Sequence, residues 1–150
     1  MKTISLLTLL LLASACRAPD ADMDEGPMVQ YPEEGIQGLP FSDAVRVDHM
    51  LYLSGSIGVL PGTLDLAEGG IQGQTRQTLE NIKATLDKYG SSMEDIVKCT
   101  VMIEDIAEWS AMNEVYVTFF PGHKPARSAF GADGLALGAL VEIECLATVQ

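Results

Sequence analysis

The sequence predicts an α+β domain, one β-sheet with two helices on a single face in the order β-β-α-β-α-β-β. Three observations carry that expectation. Residues 96–104 and 140–149 alternate apolar and polar side chains with period two, the mark of half-buried strands. Residues 72–89 and the segment after Asp105 repeat their apolar side chains at helical spacing instead. Two short apolar runs, 44–47 and 50–54, flank Asp48-His49, a two-residue hairpin connection.

The hairpin runs into Ser54-Gly55-Ser56-Ile57-Gly58. That stretch lacks the Gly-x-Ser-x-Gly spacing of a nucleophile elbow and has no His/Asp pair beside it. His49 reads as a solvated turn residue. A loop with Pro61-Gly62 and Gly69-Gly70 leads into the first helix, whose stripe is Leu79, Ile82, Leu86 and Tyr89, with Gly90 as its left-handed cap. In the strand 96–104, Val97, Cys99, Val101 and Ile103 share one face, and Lys98, Thr100 and Met102 the other. Asp105 caps the second helix, with Glu108 completing a capping box. Its buried stripe is Ile106, Trp109, Met112, Tyr116 and Phe119 or Phe120, and Pro121-Gly122 stops it. Strands at 127–130 and 140–149 close the chain, joined by a loop rich in Gly and Ala.

Two helices cover only one face of such a sheet. The other face carries Lys98, Thr100, Met102, Leu140, Leu146, Glu142 and Glu144. A half-apolar face is a liability in water, so association is expected, with clefts between subunits.

Ahead of the domain, residues 1–15 read as a signal peptide: Lys2, an apolar run over 4–13, then small residues. Ala13-Ser14-Ala15-Cys16 resembles a bacterial lipobox, with Leu12 one place earlier than usual, so Cys16 is the expected lipidation site. Ordinary cleavage to a secreted protein is the alternative. Two or more acyl chains would hold the protein at a membrane without a spanning helix. Arg17, in place of a retaining aspartate, leans towards the outer membrane, and the localisation expected is exported, facing periplasm or cell surface. Residues 16–40 read as a lipidated N-terminus and acidic linker in which Asp20, Asp22, Asp24, Glu25, Glu33 and Glu34 repel one another. The folded domain is expected over 41–150.

The formal charge of −12 repels phosphate backbones, so nucleic acid is excluded as a partner. With Cys16 lipidated, Cys99 and Cys145 remain; they make no zinc pattern and no Cys-x-x-Cys motif. An exported protein could pair them, but two cysteines on apolar strand faces are expected as buried free thiols.

Three features point to chemistry. Arg127, in Pro125-Ala126-Arg127-Ser128, follows a tight Pro-Gly loop, and a pinned guanidinium can hold a carboxylate through two parallel hydrogen bonds. Glu142, on what the order suggests is the adjoining strand, could position a water or move a proton. Asn113 lies on the second helix beside Tyr116 and Phe120. Arg127 and Glu142 could equally form a structural ion pair, Glu142 with Glu144 could be a solvated strand face, and Asn113 could simply be solvated.

Several stretches together resemble the RidA (YjgF) family. They are Leu51-Tyr52-Leu53-Ser54-Gly55-Ser56-Ile57-Gly58, the run 74–83, Asp95-Ile96-Val97-Lys98, Asn113-Glu114-Val115-Tyr116, Phe119-Phe120, Pro125-Ala126-Arg127-Ser128 and Val141-Glu142-Ile143-Glu144. They run in the family's order, and the likeness covers about residues 38 to 148. The resemblance implies a chorismate-mutase-like fold assembled as a homotrimer with a site in each intersubunit cleft. It implies hydrolysis of reactive enamines and imines, such as 2-aminoacrylate and its 2-imino acid tautomers, to 2-keto acids and ammonia. By the same resemblance Arg127 holds the substrate carboxylate and Glu142 helps position the attacking water. Ser54, the backbone of Gly55, and Asn113 line the same pocket, and no metal or organic cofactor is implied. Two substrate-site positions depart from the family: its usual tyrosine is Phe41, and a cysteine two residues after the arginine is Ala129. A non-catalytic trimer that binds a small carboxylate or keto acid is the alternative, and a holdase-like chaperone a third.

Overall fold

Asp48 turns the first hairpin with a left-handed backbone, φ 52°, a conformation Asp tolerates better than most side chains. The structure, a computed structural model, describes residues 26–31 and 39–150. The signal peptide expected over 1–15, Cys16 and most of the acidic linker lie outside the described residues. Strands β2 (Ala44–Val47) and β3 (Met50–Leu53) form the hairpin. Helix α1 spans Gly70–Lys88, β5 Ile96–Ile103, α2 Trp109–Tyr116, β6 Ala126–Gly131 and β7 Val141–Thr148. Among the described residues no helix is long and apolar enough to cross a membrane.

Two further strands are only two residues long. β1 (Val29–Gln30) pairs with β2, so part of the segment read as linker is a sheet edge, and Asp48 Oδ1 accepts from the Met28 N–H there at 2.9 Å. β4 (Ser56–Ile57) pairs with β7 after a break at Ser54-Gly55. The sheet order is β1-β2-β3-β7-β5-β6, antiparallel except for β5 and β6. That parallel pair requires a crossover, and α2 supplies it.

Both helices pack on one face, as the sequence predicts. Leu79, Ile82 and Leu86 of α1 and Met112 and Tyr116 of α2 join Val101, Ile143 and Ala147 of the sheet in one core. The rest of the covered α1 face is Ile71, Gln74, Thr75 and Thr78. Gly90, φ 74°, follows α1 as expected. Asp105 caps the second helical segment: its carboxylate accepts from the Ala107 N–H and its carbonyl from the Glu108 N–H, both at 2.9 Å.

Two apolar side chains depart from the expected pattern. A register shift between Ile96 and Lys98 gives the buried position to Ile96 and turns Val97 outward, 42% exposed. Ile106 opens a 3₁₀ turn (Ile106–Glu108) rather than α2, and the tighter winding leaves it outside the core.

The expectation of free thiols is also corrected. Cys99 and Cys145 are buried, but they face each other across β5 and β7 with Cα atoms 4.1 Å apart, and they form a disulfide. Spacing along the chain does not reveal such a cross-strand register. The bond closes a loop over a sequence separation of 46, so Cys99→Ala/Cys145→Ala is expected to cost about 2–4 kcal/mol. A urea titration checks this: the midpoint falls in the double variant and in reduced wild type, while a midpoint indifferent to both contradicts it.

Candidate functional site

Arg127 is the second residue of the edge strand β6, and its Cα partner on β5 is Cys99. Partners across a ladder share a face, so the guanidinium lies on the helix-covered side. There it meets one stripe of α2, residues 109, 113 and 116, which helical periodicity sets above one another. Arg127 Nη1 donates to Asn113 Oδ1 at 2.7 Å. Its guanidinium carbon lies 4.7 Å from the Tyr116 ring centroid and 5.3 Å from that of Trp109, an attractive arrangement for a cation over aromatic faces. Among the described residues no carboxylate pairs with it.

A pocket of about 380 Å³ opens beside the guanidinium, lined also by Asn113, Tyr116, Val117, Phe120, Lys124 and Pro125. The Tyr116 hydroxyl is buried with no hydrogen-bond partner among the described residues. Burial pushes its pKa up to about 12 against the opposing charge of Arg127, so it stays protonated at neutral pH. Its role is to donate or to pack, not to act as a base.

Glu142 is the second residue of β7, partnered by Ile57 on β4 and Met102 on β5. Val141 and Ile143 beside it are fully buried under the helices, so Glu142 points to the uncovered face. Its carboxyl group packs on Gly55: a Cβ built there would collide with Oε1 and lie 3.0 Å from Cδ, so any larger residue displaces the carboxylate. Partial burial raises the Glu142 pKa above the ordinary carboxylate range, and the charge of Glu144 adds to the rise.

Ser54 joins this second group through the chain. Its hydroxyl donates to the Ser42 carbonyl at 2.7 Å and its N–H to the Asp43 carbonyl at 2.9 Å, docking the segment that carries half-exposed Phe41. Ala129 shares the helix side with Arg127 but packs on the core rather than lining the pocket. Helix α1 braces the second group from behind. Asn81 Nδ2 donates to the Ile57 and Val59 carbonyls, and buried Gln74 accepts from the Leu140 N–H, so β4 and the start of Glu142's own strand are tied to one helix.

The expectation that Arg127 and Glu142 stand on adjoining strands is therefore corrected. β5 runs between β6 and β7, and the two residues lie three registers apart on opposite faces. Strand spacing and rise put their Cα atoms on the order of 14 Å apart, too far for an ion pair within one chain. The structural ion pair is excluded on the same ground. Trp109 and Tyr116 were legible as core but not as a shelf for the guanidinium; their spacing around Asn113 was the available signal. Among the described residues no group of three or more His, Cys, Asp or Glu could hold a metal ion.

Residues 36–149 match the family described as endoribonuclease L-PSP. The chloroplastic reactive intermediate deaminase A of Arabidopsis thaliana is 36% identical over 110 residues, 73% of this chain and 59% of that protein. This chain thus spans about three fifths of the plant protein's length. The 2-iminobutanoate/2-iminopropanoate deaminase of Mus musculus is 38% identical over 108 residues, covering 72% of this chain and 80% of the mouse protein. Among solved structures, E. coli TdcF with bound serine matches with a TM-score of 0.70 at 35% identity, covering 75% of this chain and 90% of that one.

Proposed function

The chain belongs to the endoribonuclease L-PSP family, and from that premise we propose that it hydrolyses 2-enamino and 2-imino acids to 2-oxo acids and ammonia. The observation that carries this reading is a guanidinium pinned by Asn113 and two aromatic rings, facing a pocket, with no carboxylate partner among the described residues. Such a group is pre-organised for a ligand's carboxylate, which the fork binds through two parallel bonds.

The reaction needs little more than positioning. A bound water attacks C2 of the imine, forming a C–O bond as the C=N π electrons move to nitrogen, which takes up a proton. Collapse of the carbinolamine re-forms a carbonyl, breaks the C–N bond and releases ammonia. Glu142 accepts the proton of the attacking water, and its raised pKa makes it a stronger base than an ordinary carboxylate. Gly55 packs against the Glu142 carboxyl, which keeps its backbone and the adjoining Ser54 at the same side of the cleft. Arg127 fixes the substrate and offsets its charge.

Because the two groups lie on opposite faces of one sheet, a complete site takes Arg127 from one copy and Glu142 from another. A closed homotrimer with three such clefts pairs all three copies of each surface without leaving one open. It also covers the face on which Tyr52 and Phe130 are 45% and 49% exposed.

The protein is, in the same proposal, an exported lipoprotein anchored through Cys16. The leader pattern supports it, and so does the Cys99–Cys145 disulfide, which suits an oxidising compartment. Cells fed a clickable fatty acid should label wild type but not Cys16→Ser; equal labelling of both would reject the anchor.

The activity is tested by generating 2-iminopropanoate in situ with an amino-acid oxidase and following its decay. Acceleration by the protein supports the enzyme. Saturable binding of pyruvate without acceleration would leave only a carboxylate-binding module.

A further inference from the structure

The pocket beside α2 holds a second cation. Lys124 lines it together with Arg127, and the two differ in setting: Arg127 is half-buried and Lys124 exposed at the opening. Among the described residues the ion pairs are Lys83–Asp87 and Lys88–Asp43, so neither pocket cation has a carboxylate partner. In a chain with 21 acidic and 9 basic residues, two unpaired cations on the lining of one pocket run against the overall sign.

The loop makes this arrangement reproducible. Lys124 stands immediately before Pro125, whose ring keeps its backbone extended, and β6 begins one residue later. The three-residue step from Lys124 to Arg127 spans at most about 10 Å, so both charges stay at one pocket. Besides Asn113 and Tyr116, the rest of the lining is Val117, Phe120 and Pro125, which offer apolar contacts and no polar side-chain group.

On the reading above, Arg127 takes the carboxylate next to the reacting carbon. A substrate with no other acid group leaves Lys124 without a function, and a long apolar one places nothing beside its charge. We infer that the pocket selects 2-imino acids bearing a second carboxylate at the end of a short side chain, with Lys124 as the specificity-determining residue. The substrate class is the imines of four- and five-carbon dicarboxylic amino acids. Water supplies the oxygen as before, and the products are a 2-oxo dicarboxylate and ammonia. This inference rests on imine hydrolysis as the activity of the same site.

The test compares kcat/KM for 2-iminoglutarate and 2-iminopropanoate, each generated in situ, using the full chain. The ratio should exceed one in wild type and fall at least threefold in Lys124→Glu. Lys124→Arg should hold it near wild type, as should Lys83→Ala, a surface lysine remote from the pocket. A ratio below one in wild type, or one that moves less than threefold in Lys124→Glu, overturns the inference while leaving imine hydrolysis standing. If wild type consumes neither imine, the activity reading fails. Calorimetry with 2-oxoglutarate and pyruvate then decides the pocket's preference alone. Tighter binding of the dicarboxylate, lost in Lys124→Glu, supports it, and equal affinity ends it.

Discussion

Arg127→Ala is expected to lower kcat/KM for imine hydrolysis by about two to three orders of magnitude and to leave the protein folded and assembled. A fork-to-carboxylate contact is two charge-assisted hydrogen bonds, each worth about 1.5–3 kcal/mol net. At the lower end of that range their joint loss, about 3–4 kcal/mol, is a factor of about 10²–10³ in rate. The fold has less at stake. Among the described residues Arg127 makes one side-chain hydrogen bond, to Asn113, and it lies over two rings that stay packed without it. Steady-state kinetics and gel filtration together check the result. Arg127→Lys should recover little, because an ammonium keeps the charge but not the planar fork. Near-full activity in Arg127→Ala would remove the guanidinium from the mechanism.

The second large effect is at Glu142. Glu142→Gln keeps the shape of the side chain but cannot take a proton, so kcat should fall by about 10²–10⁴. The pH profile supplies a separate check. The carboxylate must be ionised to work, and burial, then the charge of Glu144, holds its pKa above the ordinary range. Activity should therefore fade on the acid side at a higher pH than a free glutamate would give. Glu144→Gln removes the second cause, and its sign is definite: the acid limb moves to lower pH. A limb that does not move, or moves upward, would assign the titration to another group.

Much of the architecture was legible because periodicity reports burial. The alternation in β5 and β7 and the stripe Leu79, Ile82, Leu86 each answer to one buried face, and the structure places them there. What periodicity does not report is register and strand order. β1 and β4 are two residues each, held by pairing with β2 and β7 rather than by any pattern of their own. A single shift at Ile96 reversed the expectation for Val97, and the Cys99–Cys145 bond depends on two strands meeting in one register.

The candidate site shows the same division. Arg127 stood out through its Pro-bounded loop, and Asn113 and the aromatics of α2 lie where helical spacing brings them. The relation of Arg127 to Glu142 was misread for one reason. β5, earlier in the chain, inserts between the last two strands, and nothing local to either residue announces it. The correction leaves the expected intersubunit cleft, with Arg127 and Glu142 drawn from different copies, as the arrangement that can bring the two groups together.

That shared site is tested most directly by mixing. Arg127→Ala and Glu142→Gln proteins, each inactive, are denatured together in equal amounts and refolded. If every cleft draws its arginine and its glutamate from different copies, random trimers contain intact clefts, and activity should return to about a quarter of wild type. If one chain supplies both groups, no mixture can contain an intact site, and activity no greater than the sum of the two variants would contradict the account.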